Sequence, residues 1–256
     1  MLRKAKQFIR QFISQSQMNV PVAWIRKDRN SWLCQHLTGK AIKAGDTIYS
    51  SRIEKLAEET NKLGPQPLWQ GYGDKNVRGP TRVPNDVRTG RAMGNLFTYL
   101  VQKRQPNVVV EFGTAFGISG MYFLAGIESN QTGKLLTFEP NDVWREVAVH
   151  NLSQISNRFD SIAGTFEDNI ADALPRGQGI DLAFIDAIHT KEFVLPQLEI
   201  VLSRSSDNAI IILDDINFSE SMKECWKEVS MDIRFSCSAA LGGRVGILEL
   251  SGSRRN

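Results

Sequence analysis

Five apolar runs in the second half of the chain each end in acids or glycines. The residues that follow them are Glu111 to Ser119 (EFGTAFGIS), Glu139-Pro140, Gly164 to Asp168 (GTFED), Asp186 to His189 (DAIH) and Asp214-Asp215. Gly113 and Gly117 let a backbone come close to a ligand and turn into a helix. Their spacing is GxxxG, not the GxGxxG of dinucleotide folds. Glu139 lies 26 positions after Gly113, and an acid there can accept hydrogen bonds from both hydroxyls of a ribose. That pattern points to an adenosine ligand without deciding which one, since NAD enzymes share it. Any one cluster has an ordinary explanation, because strand ends are turns and turns favour Gly and Asp. Five in this order do not.

Such a set works only if parallel strands bring their carboxyl ends to one edge, where ligands of open α/β sheets bind. The apolar runs supply those strands: Val108–Phe112, Lys134–Phe138, Asp160–Ala163, Ile180–Ile185 and Ala209–Leu213. VVVEF is apolar apart from Glu111 and AIIIL throughout, as expected of strands buried on both faces. Helical stretches follow each: Ile118–Ile127, Val143–Ile155, Asn169–Leu174, Lys191–Leu202 and Glu220–Val229. A further helix over Asp86–Lys103 precedes the first strand. Ile233–Ala239 and Arg244–Leu250 flank Gly242-Gly243 and read as a hairpin. The fold class is therefore α/β, a doubly wound, Rossmann-like, mostly parallel seven-stranded sheet with a C-terminal antiparallel hairpin. It occupies residues 85–256, preceded by a helical and loop extension over 1–84 expected to serve as lid, oligomerisation or acceptor-binding region.

Within that extension, residues 2–16 place Leu2, Ala5, Phe8, Ile9, Phe12 and Ile13 at helical spacing among basic residues. This stripe packs on the protein or lies at most peripherally on a membrane. Ser51 to Leu63 reads as a helix with Ser51 as N-cap and Glu54 closing a capping box. Residues 64–84 are a Gly/Pro-rich loop carrying Trp69 and Tyr72, of the kind that can cover a substrate.

Residues 1–52 carry ten Lys and Arg against Asp28 and Asp46, while the whole 256-residue chain is only +3. The remainder is thus mildly acidic, and nucleic acid is not an expected partner. Three widely spaced cysteines, Cys34, Cys225 and Cys237, fit a reducing cytoplasm and argue against a disulfide framework or structural zinc. No apolar run approaches the roughly 20 residues of a membrane span.

VVVEFGTAFGISGMYF resembles the first motif of class I S-adenosylmethionine (SAM)-dependent methyltransferases, nearest the catechol and caffeoyl-CoA O-methyltransferase branch and its bacterial relatives. LLTFEP, GTFEDN, DLAFIDAIHTKEF and AIIILDDINF follow in the same order, so the resemblance covers about residues 85–250. It implies a SAM-dependent O-methyltransferase. Glu111, Gly113, Gly117 and Ser119 would cradle the methionine part of SAM, Glu139 would hold the ribose, and Phe166 with Glu167 would bracket the adenine; Thr114, Ala115 and Asp186 would also bind the cofactor. Metal-dependent members bind Mg²⁺ through acids after the fourth and fifth strands, which implies Asp186, Asp214 and Asp215 as ligands here. Two positions depart from the catechol pattern: Ile216 stands where that branch has Asn, and His189 where it has Lys. The acidic pair with His189 is similar to the enzymes that methylate macrolide sugar hydroxyls, which implies His189 as general base. The expected acceptor is a small molecule or glycan, sugar-like or polyhydroxylated first and a catechol-type phenol second. Homo-oligomers are common in the resembled family. A metal-independent methyltransferase, an NAD oxidoreductase and a non-catalytic scaffold are the rivals.

Overall fold

The computed structural model describes residues 19–72 and 80–252. The amphipathic stripe over residues 2–16 lies outside the described residues, as do residues 73–79 of the Gly/Pro-rich stretch. The strands of the main sheet are β1 Asn19–Arg26, β2 Ala41–Lys43, β5 Val108–Phe112, β6 Lys134–Glu139, β7 Phe159–Ala163, β8 Ile180–Ile185, β9 Ser205–Leu213, β10 Phe235–Leu241 and β11 Val245–Leu250. β3 Gln66–Pro67 and β4 Thr81–Arg82 form a separate two-stranded ribbon. The helices are α1 Trp32–His36, α2 Ser50–Asn61, α3 Arg91–Arg104, α4 Ile118–Asn130, α5 Asp142–Ser153, α6 Phe166–Ala173, α7 Lys191–Arg204 and α8 Glu220–Val229.

The sheet runs in the order β2-β1-β10-β11-β9-β8-β5-β6-β7. β9, β8, β5, β6 and β7 are mutually parallel, and β11 joins β9 antiparallel. The chain reverses between β5 and β8, so the ends of these two strands open a crevice at the carboxyl edge. Strand residues alternate between two cores. Val109, Leu182, Phe184, Ile210 and Ile212 face α3 and α4, whereas Val110, Phe112, Ala183, Ile211 and Leu213 face α7 and α8. That is the period-two consequence of the pleat.

The seven expected strands are present, and the sheet continues for two more. β1 pairs antiparallel with β10, and β2 with β1. Arg26 donates to the carbonyls of Asp232 and Phe235 at 2.8 and 2.9 Å. The buried Glu249 carboxylate of β11 accepts the Trp32 and Leu33 amides at 2.9 and 2.7 Å, capping α1. Pro21, which has no N–H for a ladder, conceals β1 in the sequence. Its carbonyl instead takes the Gly242 amide at 2.8 Å.

Two local expectations change. Ser51 is not an N-cap: α2 begins at Ser50, with Tyr49 at the cap and no side-chain bond. Ser50 is the engaged serine, accepting the Thr47 amide at 2.8 Å and donating to Asn95 at 2.7 Å. The long helix begins at Arg91, after a 3₁₀ turn over Pro84–Asp86, which leaves 87–90 as a bend beside the crevice. All three cysteines are free. Among the described residues no helix is long and apolar enough to cross a membrane.

Candidate active site

The turn after β5 carries three residues in the left-handed region: Gly113 at φ +81°, Ala115 at +46° and Gly117 at +82°. The Gly113 and Thr114 amides bind the Phe138 carbonyl of β6 at 3.1 and 3.2 Å. A Cβ on Gly113 would overlap the Asp186 carbonyl oxygen, and one on Gly117 would stand 3.2 Å from Ala148 of α5. Both glycines therefore make room for neighbouring backbone. A ligand benefits indirectly, because Asp186 is drawn against the turn. Ala115 lacks glycine's freedom, and its amide is held by Glu139 Oε2 at 2.8 Å.

Behind the turn lies a buried hydroxyl–carboxyl chain. Ser119 donates to Glu111 Oε1 at 2.5 Å, Thr137 donates to Glu111 Oε2 at 2.6 Å, and Thr114 meets Thr137 at 2.5 Å. Glu111 is fully enclosed, and burial pushes its carboxyl up to about 7 against the pull of the two hydroxyl bonds. It braces the turn from below rather than facing a ligand. Glu139 is also raised to about 7 by burial, although the Asn141 and Ala115 amides oppose this. Each of its oxygens keeps a further lone pair for a hydroxyl. Asn141, two residues on, caps α5 and donates to the Pro67 carbonyl at 2.8 Å, tying the β3–β4 ribbon beside Glu139.

Two small open clefts meet at Thr89. The first lies between the Gly113–Ser119 turn, Asp186 and Arg88. Arg88 Nη2 pairs with Glu54 at 2.7 Å, and Glu54 also accepts the Tyr122 hydroxyl at 2.8 Å. The expected capping-box acid thus serves the cleft. Arg88 Nη1 is buried with no hydrogen-bond partner among the described residues. The second cleft lies between Met93 and Phe97 of α3, Asp214 and Arg244.

The acids after β8 and β9 converge with His189. Its Nε2 stands 3.7 Å from Asp186 Oδ1 and 3.6 Å from Asp215 Oδ2. Burial lowers the imidazole pKa, partly offset by Asp215 and Asp214. Asp186 is raised well above the usual carboxylate range by burial and by the charge of Asp214. Arg244, in the turn before β11, grips the pair: Nε and Nη2 reach Asp214 at 3.1 and 2.6 Å, and Nε lies 2.7 Å from Asp215 Oδ1. A divalent ion needs several carboxylate oxygens free and pointed at one centre. Here both oxygens of Asp214 and one of Asp215 are taken by a guanidinium. Among the described residues no three His, Cys, Asp or Glu side chains are arranged to hold a metal. The donor set does not fit the Mg²⁺ that the resemblance implies.

Of the expected site residues, Gly113, Thr114, Ala115, Ser119 and Asp186 line the first cleft. Gly117 shapes its turn, and Glu111 and Glu139 hold it from behind. Phe166 is not brought to the cleft. It stacks on Phe112 at 3.7 Å and packs edge-on against Phe138, leaving no face for an adenine. The helical phase of α6 explains this, since Phe166 and Ile170 are its buried residues. Glu167 accepts Gln197 Nε2 at 2.7 Å. His36 stacks on Trp32, and His150 is exposed on α5. Sequence reasoning missed Thr137, Arg88, Thr89 and Arg244. Only the Gly-Gly turn hinted at the last, by putting an arginine at a hairpin tip.

The glycine turn after β5, the acid after β6 and the sheet reversed between β5 and β8 stand together at one edge of the sheet. A family model described as a methyltransferase domain matches residues 110–216, from within β5 to just past β9. The likeness to that family covers this stretch, less than half of the chain. No curated protein matches the sequence. Several solved structures share the fold. The O-methyltransferase TomG from Streptomyces achromogenes, involved in tomaymycin synthesis and in complex with SAM, superposes with TM-score 0.56 at 14% identity, covering 80% of this chain and 100% of that one. An O-methyltransferase from Bacillus cereus in complex with S-adenosylhomocysteine (SAH) gives 0.58 at 16%, covering 81% and 92%. A methyltransferase of Podospora anserina with SAH bound gives 0.53 at 14%, covering 81% and 99%.

Proposed function

We propose that this protein transfers the methyl group of SAM to a hydroxyl oxygen of a small molecule or glycan, polyhydroxylated acceptors being the best match. One observation carries the reading: the first cleft joins the glycine turn and Asp186 to a buried guanidinium nitrogen that lacks a partner. An unpaired buried donor costs about 1–3 kcal/mol, and the α-carboxylate of SAM's methionine end would satisfy it. Asp186 suits the α-ammonium, and Glu139 the ribose hydroxyls. The solved methyltransferases of this fold that hold SAM or SAH support the same cofactor.

SAM supplies an electrophilic sulfonium methyl. The chain's own residues do the rest. His189, kept neutral by burial, takes the acceptor's hydroxyl proton at Nε2. The imidazolium so formed is favoured by the charges of Asp215 and Asp214. Met93 and Phe97 give the second cleft an apolar wall against which an acceptor ring can rest. The chemistry of the β9 end favours a metal-independent reaction, because Arg244 already pairs with both acids.

The test is isothermal titration of SAH into the wild type and Glu139→Gln. Micromolar binding weakened by the substitution is expected. No binding to the wild type would refute the assignment.

A further inference from the structure

Removing a hydroxyl proton for methyl transfer leaves negative charge on the acceptor oxygen, and three nearby carboxylates oppose that charge. A fixed cation would offset it, and Arg244 is already built into the position. Its carbonyl accepts the Ile216 amide at 2.9 Å, and Asn217 Nδ2 donates to the Gly243 carbonyl at 2.8 Å. The arginine's turn is thus bound to the Asp214–Asn217 loop by main chain and side chain. Asp214 is 3% exposed and spends both oxygens on Arg244, so the pair cannot open without stranding a buried carboxylate. Yet the Arg244 side chain is 49% exposed at the rim of the second cleft, and its bonds to the acids run through Nε and Nη2.

We propose that Arg244 is the permanent cation of this site, standing where a divalent ion would have to bind. The second cleft, between Arg244 and the Met93–Phe97 wall, takes the acceptor, whose oxygen receives a hydrogen bond from the free edge of the guanidinium. This rests on the methyl-transfer reading and removes its metal. A guanidinium cannot be chelated away and stays charged across the accessible pH range. The site therefore carries its electrostatic complement at all times.

The test uses Mn²⁺ as a hard-cation probe, followed by loss of its free electron paramagnetic resonance signal, on the full chain saturated with SAH. The wild type should show no stoichiometric site. Arg244→Gln, which frees Asp214 and Asp215, should gain one and bind Mn²⁺ at least about tenfold tighter than wild type. Arg244→Lys, which keeps the charge, should again exclude the ion. Stoichiometric Mn²⁺ in the wild type would overturn the proposal. So would its absence from Arg244→Gln, since acids freed of the arginine would then have no cation-holding geometry. Should Arg244→Gln fail to fold, the wild type and Arg244→Lys decide the matter: exclusion by both supports the proposal, and binding to either sinks it. Failure of the wild type to bind SAH would instead refute methyl transfer itself, whatever Mn²⁺ does.

Discussion

Replacing Glu111 by Gln should change how stability depends on pH while leaving the fold in place. Glu111 is fully buried, and its carboxyl is raised from the ordinary 4.5 to about 7. Between those values the folded protein holds a proton that the unfolded chain has released. The group's contribution is thus complete below about 4.5 and is lost as pH rises through about 7. At about 1.4 kcal/mol per pK unit, the shift is worth about 3 kcal/mol. Gln cannot ionise, so the variant lacks this loss. Its amide can still serve the network: Oε1 accepts one hydroxyl, and Nε2 donates to Thr137, which can turn its proton toward Thr114, 2.5 Å away. The cost of the exchange is therefore nearly independent of pH. Urea unfolding should be measured for both proteins between pH 5 and 8. Glu139 remains in both and gives a common decline with rising pH. Relative to wild type, the variant should gain about 3 kcal/mol across that range. Parallel pH curves would refute the argument, because they would mean that Glu111 is ionised in the folded state as readily as in the unfolded one.

Arg88→Gln should weaken SAH about tenfold or more, the value of a charge-assisted hydrogen bond, and leave 5′-methylthioadenosine, which lacks the carboxylate, unchanged by calorimetry. Equal losses for the two ligands would return Arg88 to a structural role. Phe166→Ala should cost about 3–5 kcal/mol in denaturant unfolding while altering SAH affinity less than about threefold where the protein is folded, as expected of a core ring. A large affinity loss would restore it to the adenine site. Gly113→Ala forces both a positive φ and an overlap with the Asp186 carbonyl, so it should abolish SAH binding and lower the melting temperature; normal binding would contradict the turn geometry. With any acceptor that turns over, His189→Ala should reduce kcat about 100-fold or more while SAH affinity holds, and an unchanged kcat would exclude it as the base.

The parts of this molecule legible in the sequence are those governed by local rules. Continuous apolar runs announce β5 and β9 because both faces of a parallel strand are buried, and Gly-Gly announces the β10–β11 turn because that turn needs positive φ. The strand-end clusters could be ordered into a site, since parallel strands must deliver their carboxyl ends to one edge. Other features depend on who neighbours whom. β1 and β2 join the sheet because an antiparallel β10 leaves an edge to be covered, and Pro21 hides that pairing from periodicity. Phe166 sits where an adenine contact was expected, yet the phase of α6 turns its ring into the core. Arg88 follows Glu54 by 34 positions, and Arg244 follows Asp214 by 30. Nothing local marks Arg88, and only the Gly-Gly turn beside it hints at Arg244. Only the packing of α2 against the crevice, and the antiparallel docking of β11 on β9, set one guanidinium at the glycine turn and the other between the acids. Long-range pairing is decided by burial and shape across the whole domain, and so the tertiary structure placed the charges of the site where the sequence had indicated only its acids.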